Sequence, residues 1–144
     1  MTLDRLFFKT DLFEVEAGED LETNPEIYGR QFAKWLRDKF TGLGYSVEEV
    51  IPEDWGWCVM FSRKPDLLWV GCSSYLENDI PEGQLPKPGD IIWHCFATSE
   101  RPLLRRFFAG GTNTKSLAKL KQELEEIISS EKTITIVREP HQIA

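Results

Sequence analysis

The sequence predicts an α+β domain, a mostly antiparallel sheet of five or six strands with helices packed on one face. Three observations carry this. Four strand-like runs follow one another between Tyr45 and Thr98 with no helical period between them. A doubly wound parallel sheet would alternate helices with strands. Apolar residues recur at helical spacing in only two long windows, about 25–42 and 114–129. Finally, Lys64-Pro65-Asp66 joins two of the runs closely enough for an antiparallel hairpin.

In chain order, Leu6 to Lys9 is expected as a strand, followed by an acidic loop. Asn24-Pro25-Glu26 opens the first helix: Asn24 can cap, Pro25 suits the first turn, and Glu26 complements the dipole. Trp35, Leu36, Phe40 and Leu43 continue its apolar side, and Gly42 and Gly44 end it. Tyr45 to Ile51 is a strand interrupted by Pro52-Glu53-Asp54, and Trp57 to Arg63 and Leu67 to Cys72 are the next two. Ser73 to Asp90, with Pro81, Gly83, Pro86, Pro88 and Gly89, reads as an exposed loop. Ile91 to Thr98 is a strand, Pro102 to Phe108 a short helix, and Gly110 to Asn113 a break. The second long helix presents Leu117, Leu120, Leu124, Ile127 and Ile128 on one side. Thr133 to Val137 closes the sheet, and the tail to Ala144 is expected to be loose.

A chain of 144 residues, 41% hydrophobic and 12% aromatic, suits one domain with one core and not a disordered polymer. No apolar run reaches the roughly 18–20 residues that cross a bilayer. Met1-Thr2-Leu3-Asp4-Arg5 lacks the basic and apolar regions of a signal peptide, so a cytoplasmic protein is expected. Cys58, Cys72 and Cys95 lie in strand runs without a C-x-x-C pair and are expected reduced and buried.

Both alternating sets are apolar in Trp57-Cys58-Val59-Met60-Phe61, in Leu68-Trp69-Val70-Gly71-Cys72 and in Ile91-Ile92-Trp93-His94-Cys95-Phe96. A sheet with one wet face would alternate apolar with polar residues. Both faces are therefore expected to be at least partly covered, or a concave aromatic surface is left open.

The net charge of −7 has one source. Asp11, Glu14, Glu16, Glu19, Asp20, Glu22 and Glu26 occur with no Lys or Arg among them, and the other 17 acids balance the 17 bases. Such a surface repels nucleic-acid phosphates and attracts basic partners, which ranks direct nucleic-acid binding low. Helix-dipole compensation fades within a turn and explains only the last of these acids.

No motif specifies catalytic residues, a cofactor or a metal. In Pro52-Glu53-Asp54-Trp55-Gly56-Trp57-Cys58 two carboxylates stand beside two indoles; the ordinary reading is an aromatic anchor beside solvated turn acids, with Gly56 at a bulge or close approach. Cys58, Cys72, Cys95 and His94 lack zinc spacing, since the only close pair, His94-Cys95, points to opposite faces of a strand. Ala109 to Ser116 fails the phosphate-loop pattern at Ala109 and Thr114. Arg101, Arg105 and Arg106 form the one basic cluster and read as the wet side of a short helix.

Thr10-Asp11-Leu12-Phe13, Thr23-Asn24-Pro25, Tyr28-Gly29-Arg30, the Pro52 to Cys58 run and Trp69-Val70-Gly71-Cys72 together resemble a family of uncharacterised bacterial proteins. The resemblance covers most of the chain and brings no catalytic residues with it. In size, charge and lack of motifs the chain is also similar to immunity proteins of contact-dependent growth-inhibition and related toxin systems. That likeness implies a cytoplasmic binding module that covers a basic toxin domain, typically a nuclease, its carboxylates standing in for phosphates. The expected partner-binding residues are Asp11, Glu14, Glu16, Glu19, Asp20, Glu22, Glu53, Asp54, Trp55 and Trp57, the tryptophans as hot spots. A small enzyme or ligand-binding domain with a pocket near Trp55, Trp57, Trp69 and His94 is one alternative, and a structural homodimer is another.

Overall fold

The computed structural model describes residues 4–62, 67–100 and 114–140. Six strands form one antiparallel sheet: β1 (Leu6–Thr10), β2 (Ile51–Glu53), β3 (Gly56–Ser62), β4 (Leu67–Leu76), β5 (Ile91–Glu100) and β6 (Ile134–Val137). Their spatial order is β2-β3-β4-β5-β1-β6. Helix α1 (Arg30–Gly42) packs on β3 and β4, and α2 (Thr114–Ser130) packs on β5 and β6. The α+β architecture expected from the sequence is the one observed. Among the described residues no helix is long and apolar enough to cross a membrane.

Strand alternation decides which residues meet the helices. Leu6 and Phe8 of β1, Trp57 and Val59 of β3, Val70 and Cys72 of β4, and Trp93 and Cys95 of β5 form one buried cluster with Phe32, Leu36 and Phe40 of α1 and Leu120, Leu124 and Ile128 of α2. Each large aliphatic or aromatic side chain buried here contributes about 1.5–3 kcal/mol through removal of apolar surface from water. Trp93 lies at the centre, edge-on to Phe13 and Phe32 at 5.7 and 6.2 Å.

Three local expectations are corrected. Helix α1 starts at Arg30 and not at Pro25. Glu26 has φ 68°, which a helix cannot contain, and Asn24 does not cap but donates to the Asp54 carbonyl at 2.9 Å. The strand expected over Tyr45–Ile51 is displaced to Ile51–Glu53, with Pro52 inside it. Because β2 is an edge strand, the missing N–H of Pro52 removes no ladder bond on a second side. Tyr45 leaves the sheet altogether, and its hydroxyl donates to Glu123 of α2 at 2.7 Å. Finally, β4 runs on to Leu76, so Ser73 and Ser74 are not loop residues. Both are buried: Ser73 Oγ donates to the Trp55 carbonyl at 2.6 Å, and Ser74 Oγ accepts the Tyr28 N–H at 3.0 Å. The Lys64-Pro65-Asp66 link, the short helix from Pro102 to Phe108, the Gly110 to Asn113 break, the Arg101, Arg105 and Arg106 cluster and the last four residues lie outside the described residues.

All three cysteines are buried and no disulfide joins them. Cys72 and Cys95 face each other in register on the helix side, and burial pushes both thiols well above their ordinary range. Thiol reagent at neutral pH is therefore expected to label the native protein slowly and the denatured protein at all three positions. Rapid stoichiometric labelling of one cysteine in the native state would contradict this packing.

Candidate partner-binding surface

The acidic segment leaves β1 at Thr10 and crosses one end of the sheet to reach α1. It is not a loose loop. Phe13 and Val15 are buried, and Phe13 packs on Phe32 at 5.2 Å and on Trp35 at 5.3 Å. Its centre is Glu19, only 2% exposed. One carboxylate oxygen accepts the N–H groups of Gly29 and Arg30 at 2.8 and 3.0 Å, and the other accepts the Glu16 N–H at 2.7 Å. The first N–H groups of a helix have no partner within it, and an anion there also meets the positive end of the helix dipole. Asp20 accepts the Glu26 N–H at 3.0 Å, and Glu16 pairs with Arg30 at 3.4 Å. Three of the acids expected on the binding surface thus have structural roles: Glu19 is excluded from that surface by burial, and Glu16 and Asp20 are half-buried and engaged.

Asp11, Glu14, Glu22 and Glu26 are exposed, as are Glu53 and Asp54 in the β2–β3 hairpin. Among the described residues their carboxylates form no ion pair. The Asn24–Asp54 hydrogen bond ties the two acidic stretches together at one end of the sheet. Leu21 projects from the same segment, 88% exposed. Nothing in the sequence separates it from a buried leucine, because the segment has no period to read.

The two hairpin tryptophans part company. Trp57 is 2% exposed on the helix face, with the Arg30 guanidinium 5.5 Å from its ring. It is a core residue, and its assignment to the binding surface is corrected. Trp55, in the turn, lies on the opposite face, stacked on Trp69 at 5.2 Å and touching Phe96 at 5.6 Å. Two glycines permit this. A Cβ on Gly56, whose φ is 149°, would stand 2.3 Å from the Cys72 carbonyl oxygen, so no other residue lets the hairpin sit so close to β4. A Cβ on Gly71 would come within 2.5 Å of the Phe96 ring and 2.9 Å of the Trp55 ring. Gly71→Ala is expected to cost about 1–3 kcal/mol by overpacking and to change the near-ultraviolet circular dichroism of the Trp55–Trp69 pair. An unchanged spectrum would mean that the rings do not rest on Gly71.

From Phe96 the aromatic row continues to His94 at 5.4 Å, and from there to Phe7 at 4.5 Å and Tyr75 at 5.6 Å. His94 is 3% exposed, and among the described residues neither ring nitrogen has a hydrogen-bond partner. Burial first, and the Arg5 charge second, lower its pKa from 6.5 to about 4, so it is a neutral ring in an aromatic stack. Cys95 points to the other face, as strand alternation requires. Among the described residues no three His, Cys, Asp or Glu side chains are grouped to hold a metal ion.

A cavity of about 280 Å³ opens on this second face, lined by Glu53, Trp55, Cys58, Met60, Leu67 and Trp69. It takes in two of the four residues expected around a pocket. Trp57 lies on the far side of the sheet, and His94 is not part of the lining. No protein-family model matches this chain, and no curated protein or solved structure matches it either.

Proposed function

We propose that this chain is a binding module, a cytoplasmic immunity protein that neutralises a basic toxin domain of nuclease type by covering its active surface. The observation that carries the reading is the meeting of two features at one end of the sheet. Exposed carboxylates at Asp11, Glu14, Glu22 and Glu26 share one segment with the exposed Leu21, and Asn24 of that segment is bonded to the turn that carries Glu53, Asp54 and the half-buried Trp55, itself stacked on Trp69. Interfaces use such parts differently. Rim charges raise the association rate by steering, while aromatic and aliphatic anchors at the centre slow dissociation. A nuclease must hold phosphates on a basic surface, and a row of carboxylates competes for that surface.

Trp55→Ala is expected to speed dissociation about tenfold or more, the loss typical of a central aromatic anchor. Leu21→Ala acts in the same direction without loss of stability, because Leu21 buries nothing in the free protein. The direct test is protection. The polypeptide encoded beside this gene is expressed alone and then together with this chain. Growth arrest by the first, relieved by the second and not by a variant in which Asp11, Glu14, Glu22 and Trp55 are all replaced, supports the reading. Arrest that this chain does not relieve, with no complex on mixing, refutes it.

A further inference from the structure

We infer that the cavity beside Trp55 and Trp69 is an arginine site: it receives the guanidinium of one arginine side chain from the basic partner, stacked on indole and paired with Glu53. The inference rests on the binding-module reading for the source of that arginine, but the site itself stands on geometry. Its volume of about 280 Å³ falls below the range of roughly 300–1,000 Å³ for clefts that take drug-sized molecules, and suits a single long side chain. Its lining divides by chemistry. Trp55 and Trp69 supply π faces, Cys58, Met60 and Leu67 supply an apolar floor, and among the described residues Glu53 supplies the charge.

That set selects a cation with a flat, weakly hydrated head. A guanidinium stacks on an aromatic ring and presents parallel N–H donors to a carboxylate. An ammonium is a compact, strongly hydrated point charge and loses more on leaving water. Among the described residues, no cation of the protein itself fills the place. Among the described residues, cation–π contacts go from Arg5 to Phe96, from Arg30 to Trp57 and from Lys39 to Trp35. Within that described set Trp55 and Trp69 have none, and Glu53 pairs with no described cation. Glu53 of the lining is exposed, and its exposed neighbour Asp54 is tied by Asn24 to the loop that carries Glu22 and Glu26. Trp55 stacks on Trp69 over the space that Gly71 leaves open, with no ligand present, so the site is formed before binding.

The test needs no partner protein. The indole N–H signals of the ¹⁵N-labelled full chain are followed while N-acetyl-arginine amide is added. Parallel titrations use N-acetyl-citrulline amide, which keeps the shape and lacks the charge, and N-acetyl-lysine amide. The expected result is saturable movement of the Trp55 and Trp69 signals with arginine, little with lysine and none with citrulline, while Trp57 and Trp93 stay still. Glu53→Gln, an exposed position with no structural contact at its carboxylate, should weaken arginine binding about three- to fivefold, the scale of one exposed charge pair. Trp69→Leu should weaken it by a similar factor, about that of one cation–π contact. Movement that is equal for arginine and citrulline, equal for arginine and lysine, or unaffected by Glu53→Gln would overturn the assignment. So would signals that do not move. A positive titration with failed growth protection would keep the arginine site and reject the toxin-inhibitor reading; the reverse pair of results would do the opposite.

Discussion

Glu19→Ala is expected to destabilise the protein by about 3 kcal/mol or more, although an acidic residue in a loop of acidic residues looks expendable. The carboxylate accepts three backbone N–H groups, two of them at the start of α1. Losing a helix cap costs about 0.5–2 kcal/mol, and each buried donor left without an acceptor adds about 1–3 kcal/mol, partly offset where water enters. Glu19→Gln keeps one good acceptor and turns the other position into a donor facing an N–H, so it should recover only part of the loss. Urea denaturation measures both. The contrast is with Glu14→Gln or Glu22→Gln, which leave exposed side chains exposed and should move stability by less than about 0.5 kcal/mol. A Glu19 variant as stable as these would remove the anchoring role assigned to it.

Acidification is expected to unfold the protein through His94 by about 3 kcal/mol between pH 6.5 and 4. In the unfolded chain the imidazole takes a proton near pH 6.5; in the folded chain it does so only near pH 4. Between those values the unfolded state binds more protons, so stability falls as pH falls, and above pH 6.5 the full stability is present. The groups around the ring sharpen the effect. Phe7, Tyr75 and Phe96 offer no acceptor at the ring nitrogens, and Arg5 disfavours a second positive charge. His94→Phe keeps the stack and removes the proton site. Its denaturation midpoint should therefore lose the wild-type slope over this range, while the slope from carboxylates below pH 4 remains. Equal slopes in the two proteins would show that His94 is already solvated in the native state.

The sheet and both helices were legible in the sequence because each rests on short-range pattern. The short continuous apolar run of Trp57 to Phe61 and the helical spacing of Leu120, Leu124 and Ile128 are visible over a few residues. The start of α1 was not legible. Asn24-Pro25-Glu26 is a good local opening, and a carboxylate ten residues before Gly29 in the chain overrides it by supplying the cap. The division of the acidic segment into three engaged and four exposed acids is likewise a tertiary result, since every one is a carboxylate in an aperiodic stretch. The tryptophans show a third limit. Where both alternating sets are apolar, alternation says that Trp57 and Cys58 face apart but not which face the helices cover. One signal was available: Gly71 between Val70 and Cys72 marks a place where a ring or backbone comes close, and the rings prove to be Trp55 and Phe96.

The central claim, that the exposed acids and the Trp55 face together form a surface for a basic partner, is tested most directly by stopped-flow association with the proposed toxin domain at low and high salt. With Asp11, Glu14 and Glu22 neutralised, the account predicts slower association, a flatter salt dependence and an unchanged melting temperature, because these three side chains are exposed and their carboxylates pair with no cation among the described residues. Association that is indifferent both to salt and to the three substitutions would contradict it and leave the acidic segment as a device for solubility.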